Sequence, residues 1–346
     1  MAVSNVTQCN AFAFILERSD DIASTAERAD NTCPGKGHPS IRLDINIWVS
    51  HDETADIDFG VTVPNRADIS HLLVYIPYQI TSQDFRDLQS LLQHNEIAHG
   101  IFDSDFKIET GTRFRTVYIH FCNEDLRSTF ACLPIAPSKS ATDEPTIRPD
   151  TDGRGSIVEI DIRRARERIE ERCDYLYFRF RMPYITWNDA LAHIRDYREV
   201  ISSPTIICDS TMLVGINESR QLPLSIRERL YNHVTVVEKV YIILVAEKSW
   251  SISSQLPPYR VRHLEEDIWN QYWLPASDNN IFFSNRKPEY LVYQWELPKL
   301  SNLEKGRSFL VGFSKKVISP RSIIFYLTVF FILNIISEFI VRCIFG

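Results

Sequence analysis

The chain has 346 residues, of which 44% are hydrophobic, 24% charged and 12% aromatic. That composition excludes a disordered chain, a collagen and a disulfide-stapled mini-protein, and the length suits about two domains with a buried core. The net charge of −7 is unevenly placed: residues 1–155 carry 13 Lys and Arg against 23 Asp and Glu, and residues 156–346 carry 25 against 22. That balance argues against a generally basic, nucleic-acid-coating protein, while a local basic site in the second half stays open.

Residues 1–38 form an irregular N-terminal segment with a short helical pattern over 22–28. They end in Cys33-Pro34-Gly35-Lys36-Gly37-His38. Those glycines do not make a phosphate loop, because the Gly-x-x-x-x-Gly-Lys-Ser/Thr spacing and a preceding strand are missing. A first unit, 39–133, opens with alternation of Ile41, Leu43, Ile45, Ile47 and Val49 with polar residues, repeated by Ile57, Phe59, Val61 and Val63. This predicts two half-buried strands in an antiparallel hairpin. A third strand follows over 71–76. Phe85, Leu88, Leu91 and Leu92 mark one face of a helix ending near Gly100. Strands over 113–121 and, at an edge, 130–133 complete the unit.

Residues 134–155, with Pro134, Pro137, Pro145 and Pro149, read as a linker or exposed loop. The second unit, 156–321, has strand patterns over 156–162, 175–182, 205–208, 212–216, 234–246, 290–295 and 308–313. Helical patterns cover 187–198, 225–231 and 263–272. The predicted fold class is α+β: a largely antiparallel, β-rich cytosolic region in two units, plus one C-terminal transmembrane helix. One internal echo joins the units. Tyr75-Ile76-Pro77-Tyr78-Gln79-Ile80-Thr81 resembles Arg181-Met182-Pro183-Tyr184-Ile185-Thr186, each with an Asp three residues after its Thr. Shared turn and capping chemistry or a duplicated domain both account for it.

The helix is predicted over 322–345, because residues 322–337 contain no charge. These 24 residues would measure ~36 Å as a helix, enough for a ~30 Å hydrocarbon core. Arg307, Lys315, Lys316 and Arg321 precede it, so the expected location is the cell inner membrane, single-pass, with the N-terminal region cytoplasmic. Residues 11–16 are too short for a signal-peptide core and meet Glu17 at once. Seven cysteines without a Cys-x-x-Cys pair read as reduced thiols.

No Gly-x-Ser-x-Gly elbow, His-Glu-x-x-His, dinucleotide fingerprint or kinase set occurs, so an enzyme is not expected. Nor is a cofactor, and the nine histidines show no metal-ligand spacing. Asp52, Glu53, Asp56 and Asp58 cluster between two strands, either as a cation grip or as a solvated hairpin tip. Residues 154–181 hold eight arginines. Those over 163–172 have Glu167, Glu170 and Glu171 beside them as ordinary helix-face partners. Along the following strand Tyr175, Tyr177, Arg179 and Arg181 share one face, and Leu176, Phe178, Phe180 and Met182 the other. The first set pairs guanidinium groups with aromatic rings, which suits an anionic nucleotide or oligonucleotide. Arg113 and Arg115 make a smaller pair of the same kind. In the C-terminal helix Asn334, Glu338 and Arg342 lie on one stripe with Ser337 beside them. They read either as a polar path among several copies or as an intrahelical Glu338–Arg342 pair near an interface.

These features predict a membrane-anchored effector in which a cytosolic sensor controls an oligomeric transmembrane pore. The alternative is a tail-anchored scaffold or receptor with a passive anchor. Membrane lipid and further copies of the chain are the expected partners. The layout of an α+β sensor followed by one C-terminal span resembles the membrane ion-channel effectors of bacterial anti-phage defence, of the Hailong type. That resemblance implies an oligomeric channel controlled by oligonucleotides from a partner nucleotidyltransferase. It rests on no motif.

Overall fold

Residues 11–16, Ala-Phe-Ala-Phe-Ile-Leu, are all buried, the pattern of a strand covered on both faces. In a computed structural model they belong to β1 (Ala11–Arg18), a central strand and not part of an irregular lead-in. The structure describes residues 11–19, 38–49, 55–102, 104–112, 116–121, 128–135, 146–184, 196–199, 205–265, 268–269, 272, 289–297, 306–318 and 320–345. The helical pattern at 22–28, the tip residues Asp52 and Glu53, and residues 113–115 lie outside these.

β1 belongs to an eight-stranded sheet. Its other members are β4 (Ile69–Ile76), β9 (Thr146–Pro149), β10 (Ser156–Asp161), β12 (Asp196–Glu199), β13 (Thr205–Ile216), β15 (Ser251–Ser254) and β18 (Arg307–Ile318). The spatial order is β15-β18-β13-β1-β4-β10-β9, with β12 on β13. The second sheet has ten strands. They are β2 (Ser40–Val49), β3 (Ala55–Pro64), β5 (Arg86–Asp87), β6 (Phe106–Thr110), β7 (Val117–Phe121), β8 (Thr129–Cys132), β11 (Tyr175–Tyr184), β14 (Val236–Glu247), β16 (Arg260–His263) and β17 (Tyr290–Leu297). Their order is β16-β17-β14-β2-β3-β11-β8-β7-β6, with β5 on β11. Both sheets draw strands from both halves of the chain.

The sheets pack face to face. Phe12 and Phe14 of β1 meet Phe59 of β3 at ring-centroid distances of 5.0 and 5.4 Å, inside one apolar core fed by both sheets. The outer face of the first sheet is closed by Leu222 and by Ile226 of α3 (Leu224–Asn232). The outer face of the second is closed by α1 (Asn95–Phe102) and by Trp269 and Tyr272. Gly100 makes room there, since a Cβ would stand 2.3 Å from the Trp269 ring.

Several expectations are corrected. The fold is mostly β-sheet, not α+β, and the sheets are mixed, with parallel pairs β1–β13, β2–β14 and β8–β11. Where a helix was expected up to Gly100, the chain instead forms β5, a 3-10 turn at Gln89–Gln93 and the short α1. Thr81 and Asp84 do pair, the Asp84 carboxylate accepting from the Thr81 N–H and hydroxyl, but they close a turn and not a helix. Residues 196–199 are strand, 205–216 are one strand instead of two, and β8 lies inside its sheet.

The C-terminal helix α4 is Pro320–Phe345. Its side chains are described over 323–337. Among the described residues no helix is long and apolar enough to cross a membrane, so the expected transmembrane helix is not shown. α2 (Ile162–Arg166) is a single short turn whose Arg164 N–H is capped by Asp161.

Candidate functional site

The alternation along β11 is as the sequence predicts: Leu176, Phe178, Phe180 and Met182 enter the core between the sheets. The opposite face holds Tyr175, Tyr177, Arg179 and Arg181, but it is not an open surface. Tyr177 and Arg179 are 0% exposed and Arg181 5%, because Trp269, Tyr272 and α1 cover them. Tyr175 is half-buried at the end of this row, its ring against Phe130 and under the Arg42 guanidinium. Arg113 and Arg115 fall outside the described residues.

Two buried cations without acceptors would be prohibitively costly, and the network around them supplies those acceptors. Asp58 of β3 accepts from Arg181 Nε at 2.6 Å and Nη2 at 3.1 Å, from Trp48 Nε1 at 2.7 Å and from the Tyr272 hydroxyl at 2.7 Å. Arg179 donates from Nε to the Tyr272 hydroxyl at 2.7 Å and from Nη1 to the Tyr177 hydroxyl at 2.9 Å. Tyr177 in turn donates to Asp44 Oδ2 at 3.2 Å. The Arg181 guanidinium also lies over the rings of Trp48 and Tyr272, 5.5 and 5.1 Å from their centroids. Arg179 Nη2 is 3.9 Å from Asp58 Oδ2, an ion-pair distance beyond hydrogen-bonding reach.

The electrostatics follow burial and charge. Burial pushes the Asp58 carboxyl up, but the charge and hydrogen bonds of Arg181, then Arg179 and Tyr272, outweigh it and hold Asp58 below the usual carboxylate value. At Asp44 burial wins over Arg179, Tyr177 and Arg42, and the carboxyl is pushed up to about 6. The arrangement is a chain of donors and acceptors from half-buried Asp44 to fully buried Asp58. Its chemistry is that of a rigid internal charge cluster. A phosphate could reach these guanidinium groups only if the cover opened.

On α4, Thr328 and Asn334 turn to their own helix. The Thr328 hydroxyl donates to the Ile324 carbonyl at 2.8 Å, and Asn334 Nδ2 to the Phe330 carbonyl at 3.0 Å. Ser337 is exposed, and the side chains of Glu338 and Arg342 lie outside the described ones.

Sequence reasoning missed one convergence. Glu109 and His120, on consecutive strands, and Glu171, about 50 positions further on, bring their ligand atoms within 4.8 Å of one another. No local spacing could reveal it, since β6, β7 and the segment after α2 supply one residue each. Among the described residues this is the group suited to a metal ion.

No family model and no curated protein matches the chain. Solved structures give slight likenesses. The folded domain of LppM from Mycobacterium tuberculosis is 9% identical, covering 85% of this chain and 99% of that one, with a TM-score of 0.20. The yeast delta-COP-I mu-homology domain, complexed with a Dsl1 WxWxV peptide, is 11% identical over 82% of this chain and 76% of that one, with a TM-score of 0.16. The Danio rerio Fcho1 mu-homology domain, with a bound Eps15 peptide, is 6% identical over 80% and 79%, with a TM-score of 0.15. Values this low establish neither a shared fold nor a family.

Proposed function

We propose that this protein works at a lipid membrane, as an effector whose β-sheet body is joined to an apolar helix lodged in lipid. The observation that carries the reading is the exposure of α4 on every side. Ile324, Phe325, Leu327, Phe330, Phe331 and Leu333 are 58–66% exposed, and at 100° per residue they point all round the axis. Covering each such side chain is worth about 1.5–3 kcal/mol, so water is a poor surrounding for the group as a whole. A protein groove covers one face of a helix, whereas lipid covers all of them. Thr328 and Asn334, satisfied by their own helix carbonyls, remove the usual objection to polar groups in an apolar phase. Lys316 and Arg321 precede the apolar stretch in the sequence, charges that anionic headgroups attract.

On this reading a sensing body and a lipid-bound helix share one chain, the layout of the defence effectors that the sequence resembles. An oligonucleotide would have to bind elsewhere than on the enclosed Tyr177–Arg179–Arg181 face. Flotation of the full chain with phosphatidylethanolamine–phosphatidylglycerol vesicles tests the membrane half, beside a chain ending at Arg321 and a Phe330→Lys/Phe331→Lys variant. Only the unaltered chain should float and resist high salt. A full chain that stays in the aqueous fraction as a defined oligomer would show that copies of itself cover the helix. Membrane-potential dye in expressing bacteria tests the effector half. Flotation with unchanged potential would favour the passive-anchor scaffold.

A further inference from the structure

Glu109 and His120 lie on the same face of the β6–β7 pair, at the end of the ten-stranded sheet. His120 Nε2 is 3.8 Å from Glu109 Oε2 and 3.9 Å from Glu171 Oε2. Ligands held about 2.0–2.2 Å from a tetrahedral zinc ion stand roughly 3.4 Å apart, so His120 needs to approach each glutamate by a few tenths of an ångström and side-chain rotation of the exposed glutamates closes the rest.

The surroundings position these groups separately. His120 Nδ1 lies 3.1 Å from Thr129 Oγ1. With Nδ1–H donating to that hydroxyl, Nε2 presents its lone pair to the two carboxylates, the outer contact that orients a metal-binding imidazole. Thr129 is itself fixed, its N–H donating to Asp174 Oδ2 and its carbonyl accepting from the Asp174 N–H. The two adjacent glutamates differ in role. Glu170 Oε2 accepts from the Thr112 N–H and hydroxyl, and so ties its loop to the end of the hairpin. The N–H groups of Glu170 and Glu171 both donate to the Tyr118 hydroxyl, at 2.7 and 3.3 Å. That clamp sets Glu171 over His120 with its carboxylate facing the imidazole.

We propose that Glu109, His120 and Glu171 bind a divalent first-row transition metal, zinc above all, with water completing the coordination. One nitrogen and two carboxylate ligands fit zinc or manganese and are poor for magnesium, which keeps to oxygen. The side chains are 30–59% exposed, so the metal would sit at the surface and pin the loop after α2 to the outermost hairpin. The competing account is a protonated His120 between two carboxylates, a surface pairing of little energetic weight.

The full chain, in detergent and freed of metal by a chelator, is titrated calorimetrically with zinc and spectroscopically with cobalt. One equivalent should bind, with visible cobalt bands and a raised thermal midpoint. His120→Ala and Glu171→Gln should each weaken binding at least tenfold and abolish the bands. Glu171 is exposed enough that its substitution leaves the fold intact, as circular dichroism would verify. No heat and no bands with the unaltered chain overturn the proposal. So does binding that survives both substitutions.

Discussion

The Tyr177 hydroxyl occupies the space that a side chain on Gly60 would fill: a Cβ at Gly60 would lie 2.1 Å from that oxygen and 3.0 Å from Arg179 Nη1. Gly60 is paired with Asp44 on one side and Arg179 on the other. The missing side chain is what allows Asp44, Tyr177 and Arg179 to meet across three strands. Gly60→Ala should therefore cost about 2–4 kcal/mol, through overpacking and a disrupted buried hydrogen bond. Urea unfolding measures it, and an unchanged midpoint would refute the crowding argument.

Asp58 and Arg181 form the strongest pair of the buried cluster. Arg181→Met leaves Asp58 buried without its main partner and should lose about 3–5 kcal/mol. Asp58→Asn should lose a similar amount, and the double substitution less than the two together. Strict additivity would mean that the two groups are not coupled. Because the folded-state carboxyl is held below its ordinary value of 3.8, the pair's contribution is complete above that pH and disappears as the pH falls through the lower folded value.

Asp44 behaves in the opposite sense. Its carboxyl titrates near 6 in the folded chain against 3.8 as a free group. Above pH 6 the full cost of this half-buried charge is present. Between 6 and 4 the folded chain gains a proton that the unfolded chain does not, and stability from this group rises. Asp44→Asn should then be more stable relative to the parent at pH 8 than at pH 4.5. A difference independent of pH would place the shifted carboxyl elsewhere.

Asn217 extends the pairing of β1 beyond the end of β13. Its Oδ1 accepts from the Phe14 N–H at 2.8 Å and its Nδ2 donates to the Phe14 carbonyl at 3.3 Å. Its φ of 50° is one that asparagine tolerates. Asn217→Ala strands two buried backbone groups and strains the turn, for an expected loss of about 2–4 kcal/mol. Asn217→Gly should relieve only the strain. Equal losses for the two variants would show that strain contributes nothing.

The sequence was informative wherever burial was one-sided. Period-two alternation located β2, β3 and β11 and identified which β11 residues face the core. It could not show that the other face is enclosed, because the cover comes from α1, about 80 positions before, and from Trp269 and Tyr272, about 90 positions after. β1 was missed because a strand buried on both faces has no alternation. The 85–93 leucines fit a helical spacing, but a 3-10 turn and a brief strand bury Leu88 and Leu92 equally well. The metal-type trio was illegible for the reason that it is tertiary.

Phe14 and Asn217 are separated by 203 positions. β1 and β2 leave the ribosome well before their neighbours β13 and β14, and each must wait for that partner. Until then both leave an open ladder edge that invites other chains. Completion of both sheets is thus tied to the synthesis of β13 and β14, and nascent chains that end before Glu247 should need a chaperone to stay unassociated.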